Sequence, residues 1–185
     1  MTTTDVRLWT VDEYHRMLET EILTTDDQVE LIAGQIIQMS PQLPPHAATT
    51  QCASDYLREL IPGQAIIRVQ LPITLRPNSE PEPDIAVVRI NFRRYQDNHP
   101  TSDDIFLLIE VASTTLNSDR NLKSRIYAQA NIPDYWVLDV NNRQIYVFRQ
   151  PQDASYQQEI VLKENDTISL LAFPEITVPV AQLFP

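Results

Sequence analysis

The segment Ile105–Ala112, IFLLIEVA, limits what this chain can fold into more than any other stretch. It is apolar at every position but one, the pattern of a central strand covered on both faces. A helical pattern follows over about Ser118–Ala130 and is stopped by Asn131 and Pro133. Another strand pattern, Tyr135–Val140, comes directly after it. A helix between two strands implies a crossover and some parallel pairing, so the class is α/β or α+β around a mixed sheet.

The flanking segments extend this plan. Thr10 and Glu13 form a capping-box pattern with Trp9 and Tyr14 placed as a hydrophobic staple, which predicts a helix over Val11–Glu19. Val29–Met39 reads as two short strands around Ala33-Gly34. Pro45 and His46 open a second helix that runs to about Leu60, its apolar face carrying Cys52, Ala53, Tyr56, Leu57 and Leu60. Strands are predicted at Ala65–Leu75, Asp84–Val88 and Gln144–Arg149, the last joined to Tyr135–Val140 by the turn pair Asn141-Asn142. The tail alternates polar and apolar residues and predicts sheet-edge strands. One domain over 1–185, with a core of about 46–140, is expected.

Composition removes several function classes. Fourteen prolines stand against two glycines, so no P-loop or dinucleotide fingerprint can be written. A lone cysteine, Cys52, excludes an internal disulfide framework and fits a cytoplasmic protein. No stretch approaches the roughly 20 apolar residues of a membrane span, and Met1–Arg7 lacks a signal-like apolar run. The net charge of −11 disfavours a broad polyanion-binding face, because holding nucleic acid requires neutralising phosphates. Any basic face must be local, and Arg89–Tyr95, with Arg89, Arg93, Arg94, Phe92 and Tyr95, is the candidate; a solvated loop is the plainer reading.

Three features carry chemistry. Glu110 lies inside the apolar strand, on the face it shares with Phe106 and Leu108, where a carboxylate is costly unless paired or metal-bound. Asp84 follows Pro83 and opens the strand DIAVV; taken alone, a capping or turn aspartate after proline is the plainer reading. On the third helix, Leu122, Ile126 and Ala130 mark the predicted sheet-facing stripe, Asp119 and Lys123 fall within or beside it, and Arg120, Asn121, Ser124 and Arg125 take the outer arc. Two sheet carboxylates and a helix lysine are the parts of a divalent-metal phosphodiesterase. Two carboxylates alone would also permit glycoside chemistry.

Glu110-Val-Ala-Ser113, Asp119, Lys123, Tyr127 and Tyr135-Trp136, preceded by Pro83-Asp84, VELIAGQ and His46, resemble the Uma-type family of restriction endonucleases within the PD-(D/E)XK nuclease superfamily. The resemblance covers most of the chain and implies a restriction-endonuclease-like mixed sheet flanked by helices, with an added N-terminal helix and hairpin. It implies Asp84 and Glu110 as ligands of Mg²⁺, with Mn²⁺ able to substitute, and the backbone carbonyl of Val111 as a further oxygen. The superfamily's lysine two residues after the glutamate is Ala112 here, and Lys123 looks like its migrated replacement. Asp119 would orient Lys123 or the helix start. Glu30 matches a family glutamate and is either an outer ligand or an edge-strand carboxylate. His46 matches a family histidine and is either catalytic or a hydrogen-bonded core residue. Ala33 departs from the acidic residue often found before Gly34. His15 and His99 read as surface residues, and Tyr127, Tyr135 and Trp136 as packing residues.

The expectation is a metal-dependent endonuclease acting on DNA as a homodimer. The alternative is the same fold kept as an inactive nucleic-acid- or protein-binding module.

Overall fold

The computed structural model describes residues 6–185. Residues 1–5, part of the predicted domain and of the N-terminal stretch read as lacking a signal, lie outside the described residues. Helix α1 (Val11–Glu19) starts on the predicted capping box: Thr10 Oγ1 accepts the Glu13 N–H, and Glu13 reaches back to the Thr10 N–H. Trp9 and Tyr14 pack with Val11 and Leu31, as a staple requires. Strands β1 (Val29–Ile32) and β2 (Gln35–Gln38) form a separate hairpin turned by Ala33 and Gly34, with φ of 48° and 79°. Glycine is needed at 34 because a Cβ there would lie 2.6 Å from Leu8 Cβ.

After helix α2 (Pro44–Leu60) come β3 (Ile66–Val69), β4 (Ile85–Val88) and β5 (Ile105–Ala112). The predicted strand Ala65–Leu75 is cut to four residues: Gln70 takes φ 51° and Pro72 has no N–H for a ladder. The crossover is helical but not uniform. A short turn α3 (Leu116–Ser118) leads into a π-helical segment (Asp119–Lys123), then α4 (Ser124–Gln129). Strands β6 (Asp134–Asp139), β7 (Gln144–Gln152) and β8 (Ser155–Lys163) complete a six-stranded sheet ordered β3-β4-β5-β6-β7-β8. Only the β5–β6 pair, joined by the crossover, is parallel. In the tail, β8 is an edge strand as predicted, but β9 (Thr167–Leu170) and β10 (Phe173–Pro179) pair with each other and pack over one sheet face.

The sheet is covered on both sides, which explains the apolar run of β5. On one face Ile85, Val87, Leu107, Ile109 and Trp136 pack against Ala53 and Leu57 of α2 and against the tail. On the other, Ala86, Leu108, Ala112, Tyr135 and Val137 meet Ile126 and Tyr127. The expected sharing of a face by Phe106 and Glu110 is wrong. The register shifts from Val87↔Leu107 to Val88↔Ile105, leaving Phe106 as an extra residue in a β-bulge. Ile105 therefore sides with Leu108, and Phe106 with Leu107 and Ile109.

The helix face also differs from the predicted one. Leu122 is 42% exposed, while Ser124 is buried. A π-helical turn is wider than an α-helical one, so it shifts the phase of every side chain beyond Asp119. Ser124 Oγ accommodates the change by donating to the carbonyls of Arg120 (2.6 Å) and Asn121 (3.1 Å). Among the described residues, no helix is long and apolar enough to cross a membrane.

Candidate active site

The antiparallel register Ile85↔Ile109, carried one residue further, places Asp84 opposite Glu110 on the crossover-helix face. Both are buried, 8% and 3% exposed. They line a cleft of about 250 Å³ together with Glu30, His46, Asp119 and Lys123. Tertiary structure thus brings all six predicted side chains together from β1, α2, the approach to β4, β5 and the π-helical turn.

Glu110 is held through one oxygen. Its Oε1 accepts from Lys123 Nζ at 2.9 Å and from Tyr127 OH at 2.6 Å. Burial pushes the Glu110 carboxyl up to about 8, against the pull of the Lys123 ammonium, with Asp84 and Asp119 raising it further. For Lys123, burial works against the charged form, but Glu110, Glu30 and Asp119 together outweigh it and hold the ammonium protonated. Burial also raises the Tyr127 phenol well above its ordinary value, reinforced by Glu110, so it remains a donor.

Asp84 is held on both oxygens. Oδ2 accepts the Val111 N–H at 2.8 Å and lies 3.0 Å from His46 Nε2, while Oδ1 takes Gln70 Nε2 at 3.2 Å. The hydrogen bond to Asp84 raises the His46 pKa, opposed by burial. His46 Nδ1 is buried without a hydrogen-bond partner. In an extended strand the N–H and C=O of one residue lie on the same edge, so the Val111 carbonyl shares the edge that faces Asp84. The register continued there reaches Pro83, which has no N–H to meet it.

Glu30 enters from the hairpin. Its Oε2 accepts the Glu82 N–H at 3.1 Å and its Oε1 lies 4.0 Å from Lys123 Nζ. Asp119 does not bond Lys123. Its Oδ2 accepts Thr115 Oγ1 at 2.6 Å, which locks the helix start, and burial raises its pKa. Sequence reasoning missed Glu82 and Gln70. Glu82 lines the cleft, and burial raises its carboxyl with Glu30 adding to the effect; its place two residues before Asp84, on the same side of an extended segment, was the available signal. Tyr127, expected to pack, both packs and bonds Glu110. Tyr135 and Trp136 do pack, with their polar atoms on the Asp119 carbonyl and Asp134. His15 is no free surface residue: its Nε2 meets both oxygens of buried Glu80 at 2.8 and 2.9 Å. His99 is half-buried and lines, with His15 and Glu80, a cavity separate from the Asp84–Glu110 cleft.

Among the described residues, no three His, Cys, Asp or Glu side chains converge as a metal cage. Mg²⁺ does not require one, since it binds through one or two carboxylates and keeps several waters. Asp84 and Glu110 supply hard oxygen donors, and Lys123 and Tyr127 converge on Glu110 Oε1. The residues present fit a hard divalent cation.

No curated protein matches the chain. Among solved structures, "a putative nuclease belonging to DUF820" from Anabaena variabilis ATCC 29413 is similar with a TM-score of 0.69 and 19% sequence identity. The match covers 95% of this chain and 97% of that one, and at this identity it shows the fold. Residues 11–181 match the Uma2 family, described as "Putative restriction endonuclease", and the chain therefore belongs to that family.

Proposed function

We propose that the protein hydrolyses phosphodiester bonds in DNA at the Asp84–Glu110 cleft, with Mg²⁺ or Mn²⁺ as cofactor. The observation that carries this reading is the meeting of Lys123 Nζ with Glu110 beside Asp84. Asp84, Glu110 and the Val111 carbonyl would hold the ion. Bound there, a divalent cation polarises the scissile phosphate and lowers the pKa of a bound water.

The remaining work falls to side chains. Water attack forms one P–O bond while the bond to the leaving oxygen breaks, and negative charge grows on the phosphoryl oxygens. Lys123, kept charged by three carboxylates, faces that charge from the helix side. His46 fixes Asp84 through Nε2, and its unpartnered Nδ1 is a place to hold a proton. Lys123 fills in space the role that Ala112 cannot fill in sequence, and this favours the catalytic reading over an inactive module. Cutting both strands of a duplex calls for two such clefts, so we also propose a homodimer, tested by sedimentation.

Plasmid nicking by purified protein, with Mg²⁺, with Mn²⁺ and with chelator, tests the reading beside Asp84→Ala. Metal-dependent nicking that disappears in Asp84→Ala is expected. Nicking retained by that variant, or none by the wild type with either metal, would sink it.

A further inference from the structure

We propose that the loop after β4 is a second contact for the substrate strand, where Phe92 stacks on an unpaired base and arginines meet the neighbouring phosphates. The inference rests on the proposed polynucleotide substrate and extends it to a surface outside the cleft.

The cleft cannot grip a polyanion by itself. Five of its lining side chains are carboxylates, Glu30, Glu82, Asp84, Glu110 and Asp119, and its lysine is already paired with Glu110. Phosphates away from the reacting one need cations elsewhere, and in a chain of net charge −11 those must be concentrated. The loop supplies them. Arg93 and Arg94 directly follow Phe92, which is 100% exposed, beside Ile90 at 51%, while Arg89 earlier in the loop lies over the Phe106 ring. Exposed pairs tie Arg93 to Asp97 and Arg58 to Asp55, and such pairs contribute little. Arg94 makes no ion pair among the described residues.

Phe92 is displayed rather than loosely hung. Tyr95 is buried, and its OH donates to the Arg89 carbonyl at 2.9 Å. Asn91 Oδ1 accepts the Arg93 N–H at 2.9 Å, and Arg89 Nε donates to the Asp103 carbonyl at 2.9 Å. Arg94 and Tyr95 take consecutive left-handed conformations, φ 54° and 61°, which bulky residues adopt only when their surroundings impose it. Next to Phe92 lies a cavity of about 440 Å³ with Ile66, Ile67 and Ile90 in its walls and Arg58 and Arg94 at its lining. Apolar walls with cationic groups suit a flat base and its phosphate.

Three elements connect this surface to the cleft. β3 is an edge strand whose start lines the cavity, and Gln70, just past its end, bonds Asp84. From Asp84 to Arg89 along β4 is about 17 Å at strand rise. From His46 to Arg58 along α2 is about 18 Å at helical rise. Both correspond to about five nucleotides of stacked strand. A strand leaving the cleft along the β3 edge arrives at Phe92.

Anisotropy of a labelled oligodeoxythymidine of about twelve nucleotides, long enough to span both places, tests this in chelator, with Phe92→Ala and Arg94→Gln beside the wild type. Phe92→Ala is expected to weaken binding roughly tenfold. Arg94→Gln is expected to lower the slope of log affinity against log salt by about one. Both should cleave a substrate of about three nucleotides, too short to span the gap, at the wild-type rate. Wild-type affinity and salt slope in both variants would overturn the inference even if the protein is a nuclease. Weakened binding in the two variants of a protein whose wild type cuts nothing would leave this contact standing and remove the hydrolytic reading. Unchanged DNA binding with an altered sedimentation coefficient would make the surface an interface between copies, and the inference would fall. Circular dichroism of both variants checks that a loss is not unfolding.

Discussion

Lys123 and Glu110 meet across two elements: Nζ, carried on the π-helical turn, lies 2.9 Å from Oε1 on the central strand β5. A lysine two residues along β5 would have shared the glutamate's face. Supplied from the crossover helix, the ammonium approaches Glu110 from above the sheet.

Lys123→Met should remove the cation while keeping most of the apolar stem. Nicking is expected to fall about 10²- to 10³-fold, the effect of deleting one charge-stabilising donor. Single-turnover cleavage at saturating metal measures it, with circular dichroism to establish folding. Activity equal to that of the wild type would show that Lys123 has no part in the chemistry.

Tyr127→Phe deletes a buried hydrogen bond of 2.6 Å to Glu110 and leaves the ring packed. Groups that orient a ligand in this way typically affect metal affinity about 10- to 100-fold. Titration calorimetry with Mn²⁺ should show weaker binding, and urea denaturation a loss of about 1–3 kcal/mol. Unchanged Mn²⁺ affinity would reduce Tyr127 to a packing residue.

Metal should stabilise the folded chain. At a hundredfold excess over its dissociation constant, a ligand contributes about 2.7 kcal/mol, which for this chain length raises Tm by about 5–10 °C. Scanning calorimetry with Mg²⁺ and then with chelator measures the shift and its reversal. In Asp84→Asn the shift should vanish; the same shift in that variant would move the ion to another place.

Acid should weaken the fold partly through His99. Burial lowers its pKa, with Glu80 opposing and Arg68 and His15 assisting. The unfolded chain therefore takes up this proton at higher pH than the folded one, and the contribution is lost as pH falls below the ordinary histidine value of about 6.5. His99→Asn should narrow the difference between urea midpoints at about pH 7.5 and about pH 5.5. An unaltered difference would mean that His99 titrates equally in both states.

The local signals were legible because each is a short-range constraint. The capping box at Thr10 and Glu13, the turn at Ala33-Gly34, the proline at the start of α2 and the apolar run of β5 act over a few residues, and each is present in the fold. Two expectations failed for one reason. Phe106 and Leu122 were assigned to faces by assuming unbroken periods, and one extra residue in the bulge and one wide turn in the helix reset those periods. Both irregularities depend on what packs across from them, which a single strand or helix does not encode.

The sequence by itself determined the parts list: a carboxylate in an apolar strand, an aspartate after proline, and a lysine one helical turn past an aspartate. It also determined the crossover that makes β5 and β6 parallel. Only the tertiary structure decided that Glu82 and Gln70 join the cleft, that Tyr127 bonds Glu110, and that His15 engages Glu80. Those relations join residues whose side chains meet only when the hairpin, the loop before β4 and the crossover helix pack over one sheet face. Burial then sets their charges, because a carboxylate's pKa follows from the neighbours that displace its water, and those neighbours come from distant parts of the chain.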